Sequence, residues 1–410
     1  MNNFRLLLLP FFVIAFSLSF LGCRDSDDAE DVDSPLLERG DSAARTVLVY
    51  AMAENNLTDY VESDLYEMKK GASFIPDSCY FLAFVDGLKN PYICRFYKTE
   101  AGLAVCDTVN KFKEDFCSTD TANFRKVLEW VLDEYPSEHL GLVMWSHGTG
   151  WLYDANRSRS IGLDNGQNSY YNMLPTSRWM EIDELAAVLE DLPVKRDFVL
   201  FDACFMQCVE VAYAMRHSAE WIVGSPAELP ANGAPYDGIM AAMFSFPFNA
   251  GELIQQYKLG YPEISGVTLS AVKASAMDRL AEVTAAFVPA YFSSDFSVDD
   301  GGVFSYLPGG YFTSQISYPE YTDMNGQMMM RLPDDAYLLW KEAFDEAVPC
   351  RTASRKWLSG INGGSHYVDM SQFGGLSMYV PRSKNNYSLF NKDFRKTAWY
   401  QATGWQTAGW

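Results

Sequence analysis

The sequence predicts an α/β fold built on a parallel sheet. Short apolar runs alternate with segments of helical character, which is the order that strand–helix–strand units require. Two of these runs, at 140–145 and 197–202, are apolar enough to be strands covered on both faces. A reactive side chain follows each run, His147 after the first and Cys204 after the second. Because chemistry in an open parallel sheet collects beyond the carboxyl ends of the strands, we expect a site there.

The other elements are predicted in chain order from the same signals. Apolar runs closed by turn residues indicate strands, and Ser, Thr or Asp before an apolar period indicates a helix start. The predicted strands are 46–52, 79–85, a hairpin of 92–97 and 103–107, then 140–145, 197–202, 221–224, 267–273 and 375–381. The predicted helices are 58–70 (capped by Thr58 or Asp59), 118–135, 181–192, 206–216, 277–292 and 334–351. The polar stretch 151–175 is predicted to be a long loop without secondary structure, and such loops are usually functional.

Composition limits the classes of function. The chain has 410 residues, of which 48% are hydrophobic and 15% aromatic, so it can bury a substantial core. Its formal net charge of −21 argues against nucleic acid as a partner, because phosphate binding needs clustered Lys and Arg. The acidity fits cationic substrates.

The first 45 residues are predicted to stand outside the fold. Arg5 and the apolar stretch 6–20 precede Cys23 in a pattern that resembles a bacterial lipoprotein signal over residues 1–22, with Cys23 as the lipidated residue. A transmembrane anchor is the alternative, but about 15 apolar residues are few for a membrane span. Residues 23–45 are acidic and are predicted to be a disordered tether, either a surface-export tag or a plain spacer. The chain is therefore expected to be an exported cell-envelope lipoprotein, at the outer membrane or cell surface.

Seven cysteines follow Cys23, so at least one thiol stays free even if disulfides form after export. Cys204 and Cys208 are four residues apart and are predicted to share one helical face. With no further ligands nearby, they make a poor metal site.

Cys204 and His147 are the candidates for chemistry. Cys204 is predicted to lie directly before a helix, whose amides and dipole would favour the thiolate and hold an oxyanion. Gly148 and Gly150 after His147 leave room for a substrate backbone, and a histidine there suits general acid–base work. A core cysteine and a satisfied loop histidine are the alternatives for each residue alone, but their joint placement at neighbouring strand ends favours catalysis.

Asp202 precedes Cys204 by two residues, so both side chains are expected on the same side of an extended backbone. A carboxylate is a poor neighbour for a thiolate. We therefore assign Asp202 to the base of a pocket for a cationic side chain. Pairing with a local Lys or Arg, or capping the next helix, is the alternative.

The segments Trp145–Trp151 and Asp202–Cys204 together resemble the clostripain family of cysteine peptidases in the caspase-like clan. The segments 50–57 and 375–381 are also similar to family segments. The resemblance implies a caspase-like sheet with a parallel core flanked by helices over residues 46–290, and an added C-terminal region over 291–410 that packs on it.

The resemblance also implies roles for individual residues. His147 and Cys204 would form a dyad. We further predict that the amides of Gly148 and Cys204 are the oxyanion donors. Asp202 would be the acid that selects Arg, sometimes Lys, before the cleaved bond. Family members often cut themselves between the His and the Cys, which makes Arg157 and Arg159 candidate sites in 152–180.

Two further expectations concern binding. Family members often show Ser-Glu after the fifth strand, whereas this chain has Ser225-Pro226 and its next acid is Glu228. We assign Glu228 to substrate binding, and the departure bears on substrate preference more than on catalysis. Some members use calcium, but no calcium loop is legible and no cofactor is expected to be required.

Two other functions compete with an endopeptidase. A catalytically silent relative would be a surface binding lipoprotein with the same fold. A nucleotide binder is disfavoured, since Ala53-Glu54-Asn55-Asn56 stands where a Gly-rich phosphate loop would follow the first strand.

Overall fold

A computed structural model describes residues 24–25, 37–152, 159–166, 169–170, 177–293, 302–312, 317–361, 363–383 and 387–410. The predicted signal peptide 1–22, Cys23, residues 26–36 and Arg157 lie outside this part of the chain. No helix in the described ranges is long and apolar enough to cross a membrane.

The strands are β1 Arg24–Asp25, β2 Ala43–Met52, β3 Cys79–Asp86, β4 Tyr92–Lys98, β5 Ala104–Lys111, β6 Ser137–Trp145, β7 Gly148–Leu152, β8 Arg159–Asp164, β9 Arg178–Met180, β10 Lys195–Asp202, β11 Trp221–Gly224, β12 Thr268–Lys273, β13 Tyr311–Phe312, β14 Ser317–Tyr318, β15 Thr322–Asp323, β16 Cys350–Ala353, β17 Lys356–Leu358, β18 Ser365–Tyr367 and β19 Ser377–Met378. The helices are α1 Thr58–Gly71, α2 Thr121–Glu134, α3 Ile182–Glu190, α4 Val209–Ala214, α5 Tyr236–Met243, α6 Ala250–Leu259, α7 Met277–Tyr291, α8 Met324–Arg331, α9 Asp334–Ala347, α10 Ser388–Phe394 and α11 Ala398–Ala402.

A ten-stranded sheet in the order β1-β5-β4-β3-β2-β6-β10-β11-β12-β16 forms the centre of the fold. Its middle strands, β3, β2, β6, β10 and β11, are parallel to one another. Strands β4, β12 and β16 pair antiparallel at the flanks. The predicted fold class, a parallel-core α/β sheet, is confirmed.

Alternate residues of the central strands point to opposite faces of the sheet and pack into two separate hydrophobic cores. In β2, Leu48 and Tyr50 face a cluster that includes residues of α2, α3 and α7, whereas Val47 and Val49 face a cluster with α1, α5 and α6. All four side chains are completely buried. Strands covered on both faces need continuous apolar runs, which is why the sequence showed them clearly.

Residues 37–45 are ordered, which corrects the prediction that the disordered tether extends to residue 45. Strand β2 begins at Ala43. The buried guanidinium of Arg45 pairs with Asp197 at 2.6 Å and donates to the Met243 carbonyl at 2.8 Å. A buried charge is retained when it is paired in this way, and here the pair ties the start of β2 to β10.

The stretch 151–175 is also corrected, because it contains a strand. Strands β7, β8 and β9 form a small antiparallel sheet. Ile161 and Leu163 of β8 are buried, but polar and glycine neighbours hid this alternation in the sequence. Only glycine fits at position 162, because its φ is +80° and an added Cβ would lie 2.4 Å from the Met52 sulfur.

Several predicted boundaries were wrong. Helix α9 ends at Ala347 rather than 351, since Pro349 cannot continue a helix and 350–353 pair with β12. Helix α1 follows Leu57, whose N–H donates to the Asn55 side chain at 2.9 Å, so neither Thr58 nor Asp59 is the cap. The strand predicted at 375–381 is limited to Ser377–Met378. The domain division at residue 290 stays a prediction, although β16 extends the central sheet.

Candidate functional site

His147 and Cys204 lie beyond the ends of two hydrogen-bonded parallel strands. In the ladder of β6 and β10, Trp145 is the partner of Asp202, and each reactive residue follows two positions later. A Cβ added to Gly148 would lie 2.6 Å from the Cys204 carbonyl oxygen, so the two strand ends touch. Both side chains line one cleft of about 680 Å³. The structure therefore places the imidazole and the thiol on the same rim of the sheet.

Asn56 orients the imidazole. The Nε2 of His147 lies 2.8 Å from the Asn56 Oδ1, an oxygen that can only accept, so Nε2 carries the proton and Nδ1 is left as the acceptor. Burial lowers the pKa of His147 to about 4. The ring is therefore neutral at physiological pH with a free basic nitrogen, which is the form a general base requires.

Cys204 is a thiol in this environment, contrary to our expectation of a thiolate. Burial, and then the charge of Glu228, raise the pKa of Cys204 to about 12. The expected helix does not follow directly, because α4 begins only at Val209. The sulfur instead accepts the Leu229 N–H at 3.3 Å. A base must therefore remove the proton.

The turn that carries Cys204 is strained. Phe205 has a φ of 61°, and no other non-glycine residue in the described ranges has a positive φ. Its N–H donates to the Ala227 carbonyl at 3.0 Å, and its ring stacks on Tyr321 at 5.0 Å between centroids. These contacts hold an unfavourable conformation directly after the sulfur, and such strain is typical of functional turns.

Asp202 lies at the base of the cleft, where three donors hold its carboxylate. The Ala234 N–H and the Tyr236 hydroxyl donate to Oδ2 at 2.9 and 3.0 Å, and the Tyr257 hydroxyl donates to Oδ1 at 2.9 Å. Burial raises the pKa of Asp202, and the three hydrogen bonds oppose this. A cationic side chain in the cleft would favour the charged carboxylate further.

Glu228 also lines the cleft, but its carboxylate is already bonded. Oε1 accepts the N–H groups of Gly360 and Ile361 at 2.9 and 3.1 Å, and Oε2 accepts the Ser359 hydroxyl. In the structure Glu228 therefore fixes a loop that forms one wall of the cleft. Its direct role in substrate binding stays a prediction.

The other predicted residues have mixed outcomes. Gly148 is at the cleft beside Cys204, while its role as an oxyanion donor, like that of the Cys204 amide, stays a prediction. Arg159 begins β8, and its side chain is outside the described part of the chain. Cys208 is the N-cap of α4, so it does not share a helix with Cys204, and all seven cysteines after Cys23 are free thiols.

Sequence reasoning missed Asn56 and Leu229 as partners of the reactive pair. Asn56 follows the first buried strand in a polar loop, and that loop lies at the same rim as His147 because β2 and β6 are adjacent and parallel. The position of Asn56 near His147 could therefore have been predicted from the sequence. The role of Leu229 could not, because only its backbone N–H contacts the Cys204 sulfur.

Buried carboxylates in the described residues also offer a metal-binding arrangement. Oxygen atoms of Glu54, Asp86 and Asp164 lie within 4.8 Å of one another. No motif marked this cluster, because the three residues are distant in sequence.

Comparison with known proteins gives consistent matches. Residues 49–410 match the clostripain family. Clostripain from Hathewaya histolytica is 26% identical over 224 residues, which are 47% of this chain and 41% of that protein, so the match spans about two fifths of the relative's length.

Two solved structures are similar over most of the chain. One is a secreted C11 cysteine protease from Bacteroides thetaiotaomicron in complex with an irreversible peptide inhibitor (TM-score 0.75, 28% identity, 89% of this chain and 100% of that one). The other is an inactive zymogen C11 protease from Parabacteroides distasonis (TM-score 0.74, 28% identity, 88% and 99%). The predicted resemblance and the caspase-like architecture are confirmed.

Proposed function

Because the chain belongs to the clostripain family, we propose that it is an exported cysteine endopeptidase that cuts after Arg or Lys with Cys204 and His147. Cysteine endopeptidase activity is supported by the family match and by the two protease structures. The observation that carries the residue assignment is the contact of the two strand ends at one cleft.

The geometry supports a general-base mechanism. His147 Nδ1 takes the proton of the Cys204 thiol as the sulfur attacks the peptide carbonyl, since the thiol is protonated at rest. The N–H groups of Gly148 and Cys204 would receive the developing oxyanion. The imidazolium then protonates the leaving amine, and water hydrolyses the thioester with His147 again as base.

Substrate selection is assigned to Asp202. Its buried carboxylate lines the cleft and is held rigid by three donors, so it is prepared for one cationic side chain. A guanidinium can bond such a carboxylate at two points, whereas an ammonium provides a point charge. We therefore expect Arg to be preferred over Lys.

We assign maturation to a cut between His147 and Cys204, with Arg157 and Arg159 as the candidate sites. The zymogen state of the Parabacteroides distasonis relative is compatible with this. The secreted relative supports export, and lipid attachment at Cys23 remains part of the proposal. Protein or peptide substrates are the expected partners.

The test is labelling with an arginyl acyloxymethyl ketone, with cleavage of Arg, Lys and neutral peptide substrates measured in parallel. We expect stoichiometric labelling of Cys204, and a loss of at least about a thousandfold in kcat/KM for Cys204→Ala and for His147→Ala. Cys350→Ala is the matched control, because Cys350 is another free, partly buried thiol.

An unlabelled wild-type protein that cuts none of the substrates would contradict the proposal and support the silent surface lipoprotein. Mass spectrometry of wild-type and Cys204→Ala protein tests maturation. We expect a cut between residues 152 and 180 in the wild type alone, lost when both Arg157 and Arg159 are replaced by Ala.

A further inference from the structure

Tyr321 connects the two segments that carry the reactive pair. Its hydroxyl donates to the carbonyl of Thr149, two residues after His147. Its ring stacks on Phe205, directly after Cys204, with 5.0 Å between the ring centroids and 18° between the ring planes. The side chain is completely buried, so it is out of reach of a substrate in the cleft. Any effect of Tyr321 on catalysis must therefore pass through these two segments.

The contact with the His147 segment depends on a close approach of the backbone to the tyrosine. Gly150 has a φ of +78°, and an added Cβ would lie 3.1 Å from the Tyr321 hydroxyl oxygen. Burial holds the pKa of Tyr321 well above its usual range, so the hydroxyl keeps its proton near neutral pH. Tyr321 is therefore a fixed hydrogen-bond donor to this segment rather than an acid or a base.

The contact with the Cys204 turn supports an unfavourable backbone conformation. The φ of 61° at Phe205 persists only when neighbouring contacts fix it. The stacked ring of Tyr321 is one such contact, and the hydrogen bond from the Phe205 N–H to the Ala227 carbonyl is another. Without the stacked ring, the turn could relax and move the Cys204 sulfur.

The backbone of Tyr321 is itself fixed by the C-terminal region. Its carbonyl accepts the Tyr306 N–H at 2.8 Å. The next two residues form β15, which pairs with β19, and Ser377 of β19 donates its N–H to the Gln207 carbonyl at 3.1 Å. Gln207 lies three residues after Cys204, so the C-terminal region holds the Cys204 turn at two points.

We propose that Tyr321 is a positioning residue that holds the His147 segment against the Cys204 turn, so that residues beyond 290 form part of the active centre. This role rests on the proposed function of His147 and Cys204 as a reactive pair. A small displacement of the base from the nucleophile slows the reaction strongly, because proton transfer and attack both require close, aligned groups. The donors that hold Asp202 are elsewhere, so substrate binding should change little.

The experiment compares Tyr321→Phe and Tyr321→Leu in the full chain. Tyr321→Phe loses the hydroxyl and keeps the stacking, so kcat for an Arg substrate should fall about tenfold, with KM changed less than about twofold. Tyr321→Leu loses both contacts, and its kcat should fall about a hundredfold. Burial lowers the pKa of His147 to about 4, so a loosened imidazole should move the acid limb of the pH–rate profile to higher pH.

Tyr306→Phe is the matched control. Tyr306 is also completely buried in the C-terminal region, but its hydroxyl donates to Asp323 at 2.6 Å instead of to a reactive segment. This variant should lose stability as Tyr321→Phe does but retain kcat and the pH–rate profile. Measuring Tm of every variant in parallel separates instability of the fold from displacement of the reactive pair.

Hydrogen exchange followed by mass spectrometry tests the same role without peptidase activity. We expect Tyr321→Phe to exchange faster than the wild type in peptides that cover 147–152 and 204–208, and Tyr306→Phe to match the wild type there. A wild type that cuts no peptide would contradict the proposed function alone, because exchange would still show whether Tyr321 joins the two segments. Unchanged exchange in Tyr321→Phe, or equal losses of kcat in Tyr321→Phe and Tyr306→Phe, would overturn the positioning role.

Discussion

Asp202 and Asp86 occupy matching positions but have opposite surroundings. Each is the last residue of a parallel strand, and each is buried. Asp202 accepts three hydrogen bonds, whereas the Asp86 carboxylate accepts none of normal geometry. Burial raises the pKa of both groups. At Asp202 three hydrogen bonds oppose this rise, whereas at Asp86 the charge of Asp164 adds to it and the Ser118 side chain opposes it.

The comparison shows two ways of keeping an acid at the rim of a sheet. Asp202 is stabilised by the protein itself, and under the proposed function this support prepares it for a cationic substrate side chain. Asp86 lacks this support, so burial and the charge of Asp164 favour its protonated form. The difference separates a carboxylate whose charged form is supported by hydrogen bonds from one whose neutral form is favoured.

Among the changes that test this comparison, the largest expected effect is at Asp202. Asp202→Asn keeps the shape of the side chain but removes its charge, so kcat/KM for an Arg substrate should fall by about 100- to 1000-fold. A substrate with a neutral residue before the cleaved bond is the control and should change little. Equal losses on both substrates would show that Asp202 supports the fold rather than specificity.

The next effect is the pH dependence of stability. Since the pKa of Glu54 is raised from 4.5 to about 7, the folded protein holds a proton between these pH values that the unfolded chain has lost. Its stability should therefore fall as pH rises from about 4.5 to 7, by about 2 kcal/mol. Glu54→Gln cannot ionise, so Tm measured from about pH 4.5 to about pH 8 should depend less on pH in this variant than in the wild type. The same pH profile of Tm in both proteins would contradict the raised pKa of Glu54.

A smaller loss is expected at Asn56, which connects the two regions. Asn56→Ala frees the imidazole and should lower kcat by about tenfold with little change in KM. Asn56→Asp keeps the acceptor and adds a negative charge, so it should restore much of kcat and raise the pKa of His147. The acid limb of the pH–rate profile would then move to higher pH, which loss of folding alone would not cause.

The smallest effect is expected from removing one of the three donors. Tyr257→Phe makes Asp202 more like Asp86, because the Oδ1 loses its 2.9 Å partner. The pKa of Asp202 should rise further, and cleavage after Arg should fall a few-fold, more at pH 5.5 than at pH 8. Tyr261→Phe is the matched control, since that hydroxyl bonds the Gly233 carbonyl instead.

The central strands could be predicted because their burial on both faces requires continuous apolar runs. The register Trp145–Asp202 then followed from parallel pairing, and it brought His147 to Cys204. Strand β8 could not be predicted in the same way, because only Ile161 and Leu163 mark it between polar residues and glycine.

The protonation states of the buried groups could not be predicted from the sequence. The protonated state of Cys204 depends on its burial and on the charge of Glu228, which only the folded chain brings close. The carboxylate cluster likewise needs β2, β3 and β8 to meet, and no local spacing relates residues 54, 86 and 164. Motifs report chemistry that is local in sequence, and these two features are not.

The pairing of β6 with β10 has a consequence for a chain cut between residues 152 and 180. The histidine would belong to one fragment and the cysteine to the other, held together by a ladder in the middle of the sheet. The mature enzyme would then be a non-covalent two-piece assembly, so its unfolding would depend on dilution and would be hard to reverse once the pieces part.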